Sequence, residues 1–185
     1  DWEKLADVDV THPDFADQVE AIGLVATNLG PRVPVLQTVF SPLTVAGHLI
    51  GSDSKRIVSM LKEHPDVIGP ALDRIAQALI SFSVASVEAG GAGIFFAVSG
   101  YASADLLSQE DYERLVLPSD KAVIAGLKSQ ASEAAWFNIL HLCGPRLNFD
   151  LAPAFGLPVV SWSVYEDGNP SLAEGRDRSG LAAMG

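Results

Sequence analysis

The sequence predicts an α/β fold with a parallel sheet, equivalent to about half of a (β/α)8 barrel of the TIM-barrel type. Short apolar runs alternate with longer segments whose apolar residues recur every three or four positions, patterns typical of buried strands and amphipathic helices. Such alternation favours right-handed βαβ units and a parallel sheet, which we expect helices to cover on both sides. The chain has 185 residues, whereas a complete barrel typically needs about 250. We therefore expect a single domain over residues 1–185, a partial barrel of four to five βα units.

The strands and helices follow from local signals in the sequence. A Ser-Pro pair at 41–42 and a Ser-Leu-Ala-Glu capping box at 171–174 mark two helix starts. A proline at 118 predicts a kink or restart within the helix that begins near 108. The strands are predicted at 33–40, 93–98, 136–143 and 157–164, with a fifth beginning at 181–185, and the helices at 15–29, 42–51, 52–64, 65–89, 108–127, 147–155 and 171–180.

Bulk composition limits the partners and the cellular setting. Twelve basic and 23 acidic residues give a net charge of −11, which opposes binding to nucleic acid or anionic membranes. A single cysteine forms no intrachain disulfide, and we find neither a signal peptide nor an apolar stretch of membrane-spanning length. We therefore expect a cytoplasmic protein that binds neither membranes nor nucleic acid.

The strand predicted at 136–143 carries the strongest chemical signal. Side chains alternate along a strand, so His141 and Cys143 share one face at its C-terminal end, just before Gly144 and Pro145 end the strand. In parallel α/β folds that end is where active sites lie. A structural interpretation stands beside this one, with the cysteine as a small buried hydrophobe and the histidine bonded to a loop carbonyl.

Four further residues lie near the predicted ends of the strands. His48 is on the helix after the first strand, where a packing role is the alternative. Ser99 and Tyr101 follow the second strand, and Arg146 follows the third. An arginine at that position can bind a carboxylate or phosphate, or can simply lie in an exposed loop.

Four blocks of sequence, in order, resemble the uroporphyrinogen decarboxylase family. The resemblance runs from about residue 19 to residue 185, and it depends on the order and spacing of the blocks together. The blocks are Phe-Ser-Pro-Leu-Thr-Val-Ala-Gly-His-Leu-Ile-Gly at 40–51, Glu-His-Pro-Asp at 63–66 opening a helix into Glu-Ala-Gly-Gly-Ala-Gly at 88–93, Leu-His-Leu-Cys-Gly at 140–144, and Trp162 leading to Pro-Ser-Leu-Ala-Glu at 170–174. The resemblance implies a (β/α)8 barrel that handles a tetrapyrrole or a corrinoid protein at its mouth, and it leaves a homodimer open.

The resemblance implies two alternative activities. At the barrel mouth, His48 and Ser99 are the candidate catalytic residues, and Tyr101 and Arg146 are the candidate substrate-binding residues. Judged against a cofactor-free uroporphyrinogen decarboxylase, this sequence departs from the pattern. His48 then stands where decarboxylases carry a tyrosine, while Ser99 and Gly100 stand where an acidic residue and a serine are usual. The N-terminal part that carries the decarboxylases' arginines and aspartate has no counterpart in this sequence.

For a zinc-dependent corrinoid methyltransferase, the resemblance assigns His141 and Cys143 as metal ligands. The third ligand of that branch, a cysteine, would fall beyond residue 185. We favour zinc-assisted methyl transfer from a corrinoid to a thiol, with the decarboxylase as the first alternative. A non-catalytic fragment or binding module is the second alternative, because the chain has the length of half a barrel.

Overall fold

The computed structural model describes residues 2–7, 9–131 and 133–185. Its centre is a five-stranded sheet in which the strands follow chain order and every neighbouring pair is parallel. The strands are β1 (Leu36–Phe40), β2 (Gly93–Ser99), β3 (Ile139–Cys143), β4 (Val159–Trp162) and β5 (Ala182–Met184). The α-helices are α1 (Pro13–Leu29), α2 (Pro42–Leu49), α3 (Ser54–Glu63), α4 (Pro65–Glu88), α5 (Gln109–Leu115), α6 (Leu117–Ala131) and α7 (Leu172–Ser179), with 3-10 turns at Trp2–Lys4 and Phe149–Phe155.

The two faces of the sheet have different surroundings. One face belongs to a continuous apolar core shared with α2, α4 and α6. Its strand residues are Val39, Ile94, Phe96, Val98, Leu140, Leu142, Val160 and Trp162. The other face, here called the open face, contributes no strand residue to that core, and Phe40 on it is 39% exposed. The expectation of helices on both sides is therefore wrong: the helical core covers one face, as in a barrel whose second face lines the interior.

Two helices begin at the capping residues that the sequence predicts. The Ser41 side chain accepts a hydrogen bond from Thr44 N, and Ser171 and Glu174 form a reciprocal capping box. The helix predicted around Pro118 is divided at Val116 into α5 and α6, which confirms the restart. By length and composition α4 could cross a membrane, so the expectation that no apolar stretch has this length is wrong. Half of that stretch is buried within the protein.

Some predicted boundaries differ from the structure for identifiable reasons. The first strand begins at Leu36 because Pro34 has no N–H to donate to a ladder. The third begins at Ile139, since Trp136 lies 62% exposed outside the sheet. The helix predicted at 147–155 is a 3-10 segment from Phe149 that contains Pro153.

Candidate functional site

The C-terminal half of β3 brings two ligand-type side chains to the open face. His141 pairs with Ala97 of β2 and Ser161 of β4, and Cys143 pairs with Ser99. His141 is half-buried, whereas Cys143 is exposed. The extended backbone and the shared face therefore agree with the sequence prediction, and the register also places Ser99 beside Cys143.

The His141 ring is held between two neighbouring strands. It stacks on Phe95 of β2 with ring centroids 5.0 Å apart, and its Nδ1 lies 3.3 Å from the Ser161 hydroxyl of β4. Burial lowers the His141 pKa below its ordinary value of 6.5, while hydrogen bonding to the Ser161 backbone acts in the opposite direction. The imidazole is therefore neutral at pH 7. In the tautomer whose Nδ1 donates to Ser161, Nε2 keeps a free lone pair for a ligand or a proton.

His141 and Cys143 fit part of a zinc site. A thiolate and an imidazole are both donors that zinc prefers, and tetrahedral bonds of ordinary length separate the sulfur and nitrogen by roughly 3.6 Å. Residues two apart on a strand have Cα atoms about 6.6 Å apart, close enough for their side chains to converge. Within the described residues, however, no three histidine, cysteine or acidic side chains come together. This part of the chain therefore supplies two zinc donors, whereas a catalytic zinc usually has three protein ligands.

His48 lies at the rim of the open face. It is exposed on the last turn of α2, and its ring packs edge-on against Phe40, with centroids 5.5 Å apart. Ser99 ends β2, and its backbone N–H donates to the Thr44 hydroxyl at the start of α2, 3.2 Å away. The helix that carries His48 is thus tied to the strand end that carries Ser99, and both roles stay predictions.

Tyr101 and Arg146 are engaged with the protein itself. Tyr101 is only 4% exposed and packs behind the sheet under α2, where a Cβ on Gly47 would lie 2.0 Å from its hydroxyl. Burial, together with the negative charge of Asp53, raises the Tyr101 pKa. Arg146 forms ion pairs with Asp105 and Asp167. The structure thus places neither residue with His141, and their roles in substrate binding stay predictions.

Sequence reasoning missed Phe95 and Ser161, the two residues that hold His141. Both lie in continuously apolar runs where periodicity gives no preference for a face. Ser161 pairs with His141 between β3 and β4, and Phe95 stands two positions before Ala97, the β2 partner of His141. That register is set by the loops and is not visible in composition.

Comparison with known proteins decides the family. The sequence model of the uroporphyrinogen decarboxylase (URO-D) family matches residues 1–167. The chain belongs to this family. A methylcobamide:CoM methyltransferase MtaA from Methanosarcina barkeri is 33% identical over 126 residues, covering 68% of this chain and 34% of that protein. A uroporphyrinogen decarboxylase from Carboxydothermus hydrogenoformans is 31% identical over 153 residues, covering 80% of this chain and 42% of that protein.

The fold comparison confirms the predicted class. A methyltransferase from Methanosarcina mazei superposes on the whole chain with a TM-score of 0.77 at 22% identity. The match covers 52% of the methyltransferase, so this URO-D family chain spans about half of the neighbour and less than half of the two curated relatives. The parallel sheet with alternating helices is an α/β partial barrel.

The perturbed His141 pKa provides a direct test of the site's geometry. Because burial is the main cause of the lowered value, Phe95→Ala should move the His141 pKa back up toward 6.5 by admitting water to the ring. Titration of the imidazole by NMR measures the change. Phe40→Ala is the matched control, since Phe40 packs on His48 instead. An unchanged His141 pKa in Phe95→Ala would contradict the role assigned to the stacking.

Proposed function

We propose that this chain is the part of a URO-D family methyltransferase that carries two of the zinc ligands, His141 and Cys143, and that the reaction transfers a methyl group from a corrinoid to a thiol. The observation that carries this proposal is the position of a half-buried imidazole and an exposed thiol two residues apart on the open face, at the C-terminal end of β3. The identity to a methylcobamide:CoM methyltransferase supports it. A corrinoid protein and a reducing, cytoplasmic setting belong to the same proposal.

The open face of the five described strands offers no cationic side chain to a decarboxylase substrate. A substrate with many carboxylates needs cationic side chains to bind it. Along the five described strands the open face carries no lysine or arginine, and His141 and Cys143 are its titratable groups. The net charge of −11 adds repulsion. An aromatic and weakly polar face suits a thiol and a methyl group better than a polyanion.

The residues present can each be given a part in that reaction. Zinc, when bound, lowers the pKa of a coordinated thiol and so supplies a nucleophile at neutral pH. Cys143 and His141 would hold the metal, with Nε2 of His141 oriented by Phe95 and Ser161. In the transfer the substrate sulfur forms a bond to the methyl carbon, the cobalt–carbon bond breaks, and its electron pair stays on the corrinoid. Ser99, which pairs with Cys143 in the sheet, would donate a hydrogen bond to a sulfur near this position.

Metal titration tests the ligand assignment. We expect the chain to bind Co²⁺, used as a coloured substitute for zinc, with an absorption band from the Cys143 thiolate. Cys143→Ser should abolish the band. His141→Ala should weaken Co²⁺ binding by about 100-fold, which is the largest loss usually seen when a residue that only supports a metal ligand is removed. His64→Ala is the control, because His64 is exposed at the start of α4 and makes no side-chain cap bond.

Two results would contradict the proposal. One is a Co²⁺ titration without a thiolate band, which would leave His141 and Cys143 as structural residues. The other is turnover of uroporphyrinogen to a decarboxylated product, which would favour the activity of the relatives named as decarboxylases. Demethylation of methylcobalamin in the presence of a thiol, lost in Cys143→Ser, would support methyl transfer directly.

A further inference from the structure

The turn that follows Cys143 has an unusual backbone. Gly144 has φ +107° and Arg146 has φ +46°, so two of the three residues after Cys143 lie in the left-handed region. A glycine has wide conformational freedom, and a non-glycine residue in this region is held there by its surroundings. Contacts from elsewhere in the chain must therefore fix the direction in which β3 delivers Cys143.

Asn169 supplies three of those contacts from the loop between β4 and α7. Its side-chain N–H groups donate to the Gly144 carbonyl at 3.0 Å and to the Ser163 carbonyl at 2.9 Å, and its Oδ1 accepts from Leu147 N at 3.1 Å. The side-chain amide of Asn169 thus joins Gly144 and Leu147, on either side of the turn after Cys143, to Ser163, the residue just after β4. All three bonds are partly buried.

Backbone hydrogen bonds also hold this turn: Gly100 N donates to the Cys143 carbonyl at 3.1 Å, and Arg146 N donates to the Asp167 carbonyl at 2.7 Å. The other side-chain connection across these loops is weaker. Arg146 reaches Asp105 on one side and Asp167 on the other, but about half of its side chain is exposed. Exposed ion pairs are screened by water and salt, and they contribute little to order. The uncharged, partly buried bonds of Asn169 are independent of ionic strength.

We propose that Asn169 is a positioning residue for Cys143: by holding the Gly144 turn to the end of β4, it fixes the end of β3 that carries the thiol beside His141. The relevance to metal binding rests on the proposed function, whereas the effect on Cys143 itself does not. Asn169 touches neither reacting group, so its contribution acts entirely through the backbone after Cys143.

The experiment uses the single cysteine of the chain as its own probe. A nitroxide attached to Cys143 in metal-free protein reports local motion by its EPR line shape. We expect Asn169→Ala and Asn169→Asp to add a mobile component, because Asp keeps the size and the Oδ1 acceptor but loses both N–H donors. Arg178→Ala is the control. It removes two hydrogen bonds to Asp150 in the neighbouring helix without touching the turn, and it should leave the spectrum unchanged.

Two further measurements separate this inference from the proposed function. In unlabelled protein, Asn169→Ala should weaken Co²⁺ binding by about tenfold. In the unmutated chain the Leu147 amide should exchange slowly with solvent, a measurement that requires no variant to fold. Unchanged EPR spectra in both Asn169 variants, an equal change in Arg178→Ala, or fast exchange at Leu147 would each overturn the inference. If the unmutated chain binds no Co²⁺, the proposed function fails, and the EPR and exchange results alone decide the role of Asn169.

Discussion

Asp120→Asn is expected to remove most of the change in stability between pH 4 and pH 8. Asp120 on α6 is fully buried, and Tyr112 of α5 donates a hydrogen bond to its Oδ2 at 2.6 Å. Its other oxygen, Oδ1, has no hydrogen-bond partner among the described residues. Burial raises the pKa of Asp120 to about 8, and the hydrogen bond from Tyr112 opposes the shift.

The sign follows from proton linkage. In the unfolded chain the carboxyl ionises near 3.8, whereas in the folded protein it stays protonated to about 8. The folded state therefore binds more protons in this window, and the free energy of unfolding falls as pH rises from about 4 to about 8. A pKa shift of this size lowers the free energy of unfolding by on the order of 5 kcal/mol across the window. The side-chain amide introduced by Asp120→Asn cannot ionise, so the variant should lack this fall in the free energy of unfolding across the same window.

Chemical denaturation at several pH values measures this difference. His141 acts in the opposite direction, because its lowered pKa makes stability rise with pH toward 6.5, but it is present in both proteins and cancels in the comparison. Asp177→Asn is the control, as Asp177 is an exposed carboxylate paired with its neighbour Arg176. Equal pH profiles for Asp120→Asn and the unmutated chain would show that Asp120 is ionised in the folded state.

The order of strands and helices could be predicted from the sequence because each has its own local signal. The Ser171 capping box and the Gly144-Pro145 stop are chemical features of a few adjacent residues. The uncovered face was not predictable in this way. Continuous apolar runs such as β2 are typical both of a strand between two helical layers and of a barrel strand, so Phe95 gives no indication of which layer it faces.

The candidate site could be predicted only in part for a related reason. His141 and Cys143 are two positions apart in one strand, so side-chain alternation alone brings them together. Ser161 and Asn169 come from 20 or more residues further along the chain, and only the register of β4 against β3 brings them to the site. Arg146 looked available for a ligand because the sequence does not show the carboxylates of Asp105 and Asp167 on either side of it.

Gly93→Ala should produce the largest loss of stability of any single methyl addition considered. Gly93 begins β2 with φ +152°, and a Cβ there would lie 2.1 Å from the carbonyl oxygen of Phe137. That carbonyl is backbone at the entry to β3, where Phe137 N donates to Ala92 O and Asn138 Oδ1 accepts from Ile94 N. The methyl group cannot be accommodated by a side-chain rotation, so the two strands must move apart.

Gly93→Ala is expected to lower the free energy of unfolding by about 3–5 kcal/mol, because the backbone conformation is unfavourable for alanine and the added methyl group overpacks the site. This loss is a large share of a typical domain's stability of about 5–15 kcal/mol. Gly69→Ala is the matched control: Gly69 lies inside α4, and beyond its own turns of that helix nothing lies within 4 Å of an added Cβ, so alanine should stabilise the helix by up to about 1 kcal/mol. Urea denaturation of both variants measures the two opposite changes.

Because β2 and β3 also carry Ser99 and Cys143, a separation at their entry would loosen the register that pairs those residues. A Gly93→Ala variant as stable as the unmutated chain would mean that the two strands start further apart than the structure has them.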